Sequence, residues 1–245
     1  MNVAINGPQI LFEIPLLGGI PVTETVVNSW IVMAVIVGAC LFLTHSLTVN
    51  KPSKVQAVAE KLVVAVYNLV DNIMGSRWKS FAPYIGTLFA YSFCSSILSV
   101  TGLRSPTADF SVTLAMALIT FVMIQFYNFK FKGLWGFFKR FTQPVAVMTP
   151  INLLSEVATP VSMSLRHFGN IAAGLVITGL IYGSLAALSS FVLQWIPSTF
   201  INSIPIFQAG LPAILSVYFD VFTSVLQAYI FCMLTMVYVS GAAEE

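Results

Sequence analysis

Apolar residues crowd this chain into five stretches, each long enough to carry a helix across the roughly 30 Å hydrocarbon layer of a bilayer. The first covers residues 26–46, with Trp30 near its start, where an aromatic ring sits at headgroup level. Residues 83–103 and 109–129 form the second and third. Only Arg104-Ser-Pro-Thr-Ala separates them, which predicts a tight helical hairpin. Stretches 151–195 and 206–240 exceed what a perpendicular crossing needs at about 1.5 Å per residue, which predicts strong tilt.

Two other segments read differently. From Val55 to Ile73, apolar residues recur at steps of three and one, while Lys54, Glu60, Lys61, Asn68 and Asp71 fall largely opposite. That pattern predicts an amphipathic helix lying at an interface or against a packed partner. Ile10 to Val22 is apolar but broken by Pro15, Gly18, Gly19 and Pro21, so residues 1–25 read as an outer, interfacial segment or loop.

Composition agrees with this pattern. Of 245 residues, 58% are hydrophobic and 8% charged, against roughly 25% charged in soluble domains, so lipid must be the main solvent. The fold class expected is an all-α integral membrane protein of about five membrane-embedded helices plus an amphipathic cytoplasmic-side helix. The last two membrane helices are expected to be long and strongly tilted, all in a single membrane domain spanning 1–245. The formal charge of +2 is too small to suggest a nucleic-acid partner.

Cys40, Cys94 and Cys232 lie inside apolar runs and read as core thiols. No phosphate-cradling GxxxxGK[ST] occurs, no metal-ligand set is spaced along the chain, and no basic n-region announces a cleaved leader. No cofactor is expected.

Basic residues give an orientation. Residues 47–82 hold five Lys or Arg and residues 130–149 hold four, whereas 1–25 hold none. The positive-inside rule then places the N-terminus outside and the C-terminus in the cytoplasm; the membrane expected is a bacterial plasma membrane rather than an organellar one.

Few ionisable residues lie within the apolar stretches: Glu156, Arg166, His167 and Asp220, with Asp109 at a helix start. Arg166 is the most costly. At a helix centre an Arg costs about 2.5–3.5 kcal/mol on insertion scales, and it cannot shed its proton. It can stabilise a carboxylate that has just lost a proton, acting as an electrostatic gate; the bland alternative is an Arg tied to carbonyls or an internal acid. Asn170 lies one turn on, where it can orient the guanidinium, hold water or glue helices together.

Asp220, Thr223, Ser224 and Gln227 form a stripe at offsets of three, four and seven, suited either to lining a watery path or to a permanent Asp220–Arg166 pair. His167 sits about 100° around from Arg166, and packing and proton transfer both stay open for it. Glu156 suits either the dipole of a helix start or ion exit to the cytoplasm. Asp109 is most simply an N-cap.

The run Pro160-Val-Ser-Met-Ser-Leu-Arg-His-Phe-Gly-Asn170, followed by Ala173-Gly174, resembles the signature helix of subunit a of F-type ATP synthases. Leu226 to Ser240 is similar to that family's final helix, Ile20 to Trp30 to its N-terminal approach, and Pro106 to Leu118 to a fourth segment, in the same order along nearly the whole chain. The resemblance implies a subunit that binds no nucleotide and lies against a rotating ring of c subunits, alongside the subunit b stalk and the rest of the complex, conducting H⁺ or Na⁺. Arg166 matches the family's essential arginine, which faces the ring carboxylates and separates an outer from an inner half-channel. Asn170 and Gln227 match polar positions beside it, and Glu156 an acidic position on the inner side.

Three departures stand out. His167 replaces a usually apolar residue, and Leu175 occupies a position that is commonly ionisable. Asp220 takes the partner position on the last helix, so an outer half-channel would depend on that acid and water. Ser96 and Ser99 stand roughly where many members carry Asn and Asp. The rival readings are a stand-alone secondary transporter or channel, an intramembrane enzyme using His45 or His167, and a structural anchor. The first predicts inverted repeats that the sequence lacks.

Overall fold

A computed structural model describes residues 8–15, 20–45, 47–48, 53–142, 145–193 and 217–244. Within these lie six α-helices: α1 (Glu24–Thr44), α2 (Lys54–Met74), α3 (Ala82–Ile97), α4 (Phe110–Thr142), α5 (Thr149–Leu193) and α6 (Thr223–Glu244). The molecule is an all-α membrane protein. The exception is an N-terminal antiparallel hairpin of β1 (Ile10–Ile14) and β2 (Ile20–Thr23), where the sequence suggested only an irregular segment. The Pro and Gly residues that forbid a helix there are compatible with a short two-stranded edge.

Local chemistry sets several boundaries. Ser53 caps α2 by accepting from the Gln56 N–H at 3.1 Å, and Gly75 ends that helix at φ +84°. Pro83 lies in the first turn of α3, where its missing N–H costs nothing. α3 then tightens into a 3₁₀ turn at Leu98–Thr101, so the expected helix 83–103 is shorter than its apolar stretch.

α4 runs the other way, beyond the expected residue 129 and through the basic stretch to Thr142. It bends at Gly133, whose φ of 66° and ψ of 179° leave helical geometry. No proline interrupts this stretch before Pro144, so the helix continues as a short arm after the bend.

Four helical segments are long and apolar enough to cross a membrane: Glu24–Thr44, Phe110–Phe137, Ala146–Val192 and Thr223–Ala243. At about 1.5 Å per residue the 45-residue α5 is about 67 Å long, roughly twice the hydrocarbon thickness. The first part of the expected helix 206–240 lies outside the described residues. Its visible start, Val217–Phe222, is a π-helical turn leading into α6.

α6 is the inner helix of the bundle: Ala228, Phe231, Cys232, Met236 and Val239 are at most 1% exposed. All of these but Ala228 pack with Val70 and Met74 of α2, Trp78 and Phe81 of the linking 3₁₀ turn, Ile85 and Leu88 of α3, and Met116 and Ile124 of α4. Half of the most apolar stretch of α6 is buried, whereas along α5 the buried residues among those described are Pro160, Met163, Ser164, His167, Gly174 and Ser189, so α5 offers a long face to surroundings outside the chain. α2 is amphipathic as expected. Val70 and Met74 are buried at its end, whereas Val55, Val58, Leu62 and Val63 stay exposed.

Polar contacts tie α1 to the α3–α4 turn. Asn28 Nδ2 donates to the Arg104 carbonyl at 2.8 Å, and Thr25 Oγ1 to Asp109 Oδ2 at 3.1 Å. The other oxygen of Asp109 accepts from the Ser111 N–H, the geometry of an N-cap.

Candidate functional site

α5 brings four of the sequence-predicted site residues onto one helix, and its rotation gives each a different environment. Arg166 is exposed, and among the described residues no acid pairs with it. His167, one residue on, is fully buried. Successive helical residues are separated by about 100°, so a helix packed along one side turns these two neighbours in different directions.

His167 is held from two sides. Its Nε2 lies 3.3 Å from Ser92 Oγ on α3, a side chain that is itself fully buried. Its ring meets Phe231 of α6 edge-on, with centroids 5.5 Å apart. Ser92 was not singled out by the sequence, where one Ser in an apolar helix gives no sign of its partner.

Asn170 is exposed but reaches inward. Its Nδ2 donates to Oε1 of Gln227, a 2%-exposed residue of α6, at 2.5 Å. These two side chains thus join α5 to α6 one turn beyond Arg166.

Thr223 and Ser224 belong to α6, Ser224 being 4% exposed. Thr223 Oγ1 donates back to the Tyr218 carbonyl at 3.3 Å, across the π-helical turn. Asp220 lies within that turn, so the α-helical offsets of the polar stripe apply only from Thr223 onward. The side chains of Asp220 and Leu175 lie outside the described set.

A buried hydroxyl cluster lies nearby. Thr107 Oγ1 is 2.8 Å from Ser105 Oγ and 3.2 Å from Ser96 Oγ, and Ser105 donates to the Ser95 carbonyl at 2.7 Å. Ser96, one of the two serines standing where many members of the resembled family carry Asn and Asp, here fastens the α3–α4 turn, a common use of hydroxyls between membrane helices.

Glu156 occupies a second locus, towards the start of α5. Arg140, on the arm of α4 beyond Gly133, pairs with its carboxylate, and Gln125 of α4 donates to the other carboxylate oxygen. The Arg140 and Glu156 side chains are 24% and 20% exposed. Both line a cavity of about 310 Å³ between α4, α5 and α6, with Phe121, Ile124, Thr159 and Tyr238 in its wall. Glu156 is therefore a specifically held carboxylate rather than a free charge at a helix start. Gln125 and Arg140 were not predicted as site residues, since 31 and 16 positions separate them from it.

Among the described residues no group of three or more His, Cys, Asp or Glu side chains is placed to hold a metal ion. The arrangement offers an outward-facing guanidinium, a neutral polar clamp behind it and a separate charged cavity. These parts suit electrostatic control of a mobile ion.

Comparison with known proteins places this arrangement in a family. Residues 26–240 match the family model for the ATP synthase A chain. The chain is 33% identical over 273 aligned positions to the sodium ion specific ATP synthase subunit a of Propionigenium modestum, an alignment covering 98% of this chain and 86% of that one. Subunit a 1 from Hahella chejuensis is 30% identical, with 100% and 93% covered, and subunit a from Moorella thermoacetica is 30% identical, with 94% of each covered. With nearly its whole length matched and its helices built for lipid, this chain belongs to the ATP synthase A chain family.

Proposed function

We propose that this chain is the ion-translocating stator subunit a of an F-type ATP synthase, lying with the subunit b stalk beside a ring of c subunits in a bacterial plasma membrane. It binds no nucleotide itself. The observation that carries the reading is Arg166: an exposed guanidinium on a helix most of whose described residues are not buried, with no acid of its own among the described residues. A cation in that position needs an anion from elsewhere, and ring carboxylates supply one.

In this reading the N-terminus faces outward and the Lys- and Arg-rich linkers face the cytoplasm. Ions enter from outside by a half-channel that includes Asp220 and reach a ring carboxylate, which then travels through lipid in neutral form. As that carboxylate returns to Arg166 the guanidinium favours its charged form, and the ion leaves by an inner path past Glu156. Asn170 and Gln227 hold α5 so that Arg166 keeps facing the ring. His167 belongs to the packing that fixes the same helix. Because Arg166 stays charged, it blocks direct passage between the two half-channels.

Each elementary charge moved through 100 mV yields about 2.3 kcal/mol, so several ions are needed for each nucleotide made. The ion is H⁺ or Na⁺. The sodium ion specific relative makes Na⁺ dependence of synthesis the discriminating measurement.

The test is Arg166→Ala in the assembled complex. ATP synthesis driven by an ion gradient is expected to be lost while the subunit still incorporates; unchanged synthesis removes the mechanism. A cysteine cross-link between the Arg166 face of α5 and a c-subunit helix separates this reading from a stand-alone transporter.

A further inference from the structure

The Arg140–Glu156 pair joins the arm of α4 beyond its bend to α5. The arm after Gly133 carries Arg140 back towards α5, and its end is fastened where Asn152 Nδ2 donates to the Phe141 carbonyl at 2.9 Å. Arg140 also lies over the Phe141 ring, with Cζ 5.3 Å from the centroid, which narrows the guanidinium's freedom. Gln125 braces Glu156 from the straight part of α4. Two side chains, one from the straight part of α4 and one from its arm, thus converge on one carboxylate in the cavity wall.

The sequence treats Arg140 only as one of the basic residues that orient the chain. Its placement says more. An unpaired Arg lining a narrow path is an electrostatic barrier to cations, and an unpaired carboxylate there concentrates them. Together they leave the wall close to neutral. We propose that the Arg140–Glu156 pair, with the carboxylate braced by Gln125, is a charge-balanced threshold for cations crossing this cavity, and that Arg140 sets the rate at which they cross. The inference rests on the reading of Glu156 as part of the inner path.

Rate then follows the charge of the pair. Arg140→Gln makes the threshold anionic, Glu156→Gln makes it cationic, and the double variant is neutral again. In proteoliposomes containing the complete membrane sector, passive ion flow at low salt is expected to rise several-fold in Arg140→Gln. It is expected to fall several-fold in Glu156→Gln and to return to within about twofold of the parent in the double variant. Arg140→Lys keeps the charge and stays near the parent.

Raising the salt from about 10 mM to 0.5 M shortens the screening length well below 10 Å, so the spread between variants is expected to collapse. A purely structural pair predicts the reverse: both single variants lose flow in proportion to lost incorporation, with no dependence on salt. That result overturns the proposal, as does equal flow in the parent, both single glutamine variants and the double variant at matched incorporation. If Arg166→Ala still abolishes synthesis in the latter case, the rotary reading stands and only the threshold is lost. If Arg166→Ala leaves synthesis intact, the rotary reading itself fails.

Discussion

Arg166 and His167 are adjacent in sequence and opposite in environment: the guanidinium is exposed, while the imidazole is sealed between Ser92 and Phe231. The relationship is mechanical. A buried side chain in a tight slot resists rotation of its helix, and whatever fixes the azimuth of His167 fixes that of Arg166.

Loss of the imidazole should therefore be felt as stability. Truncating a fully buried side chain of this size leaves a cavity, and comparable large-to-small changes cost about 2–5 kcal/mol. Thermal melting of the detergent-solubilised chain should show His167→Ala strongly destabilised and Arg166→Ala nearly unchanged, since exposed positions shift stability by about 0.5 kcal/mol or less. Equal melting of both variants contradicts the assigned burial.

Ser92→Ala tests the same slot from the other side. Among the described residues it leaves Nε2 of the fully buried His167 without a hydrogen-bond partner. An unsatisfied buried group costs about 1–3 kcal/mol. The combined Ser92→Ala, His167→Leu variant removes both polar groups and should melt above Ser92→Ala alone. A double variant that melts lower shows that the contact is incidental.

The Asn170–Gln227 bond makes an asymmetric prediction. Gln227 is buried and Asn170 exposed, so Asn170→Leu strands a buried amide oxygen, whereas Gln227→Leu leaves Asn170 free to turn outward. Pairs of this kind between membrane helices are worth about 0.6 kcal/mol on average. Asn170→Leu should cost more than Gln227→Leu, and adding Gln227→Leu to Asn170→Leu should recover part of the loss. Strictly additive costs in a double-mutant cycle rule the bond out as the source.

Much of this was legible in the sequence, for physical reasons. Helix positions followed from runs of apolar residues, because lipid forces every backbone polar group into internal hydrogen bonds. Arg166 stood out because a permanent charge among apolar residues is costly. Partners were not legible. Ser92 and Gln125 are ordinary residues until the fold sets them beside His167 and Glu156, 75 and 31 positions away. Arg140 looked like a topogenic charge, since nothing local revealed that Gly133 would turn its arm back onto α5. The N-terminal hairpin escaped because Pro15 and the glycines after it erase the alternation by which strands are read.

Gly133 makes the last prediction. Its φ of 66° and ψ of 179° fall in a region essentially reserved for glycine, and holding another residue there costs about 1–3 kcal/mol. A methyl group built at this position meets no atom within 4 Å, so steric crowding does not enter and the penalty is backbone strain alone. Gly133→Ala can relieve the strain by continuing α4 straight, but that swings the arm and pulls Arg140 away from Glu156. The variant should therefore lose stability by about 1–3 kcal/mol in thermal melting, and a spin-label distance between the arm and the start of α5 should lengthen. A variant that melts normally with that distance unchanged shows that the bend does not depend on glycine.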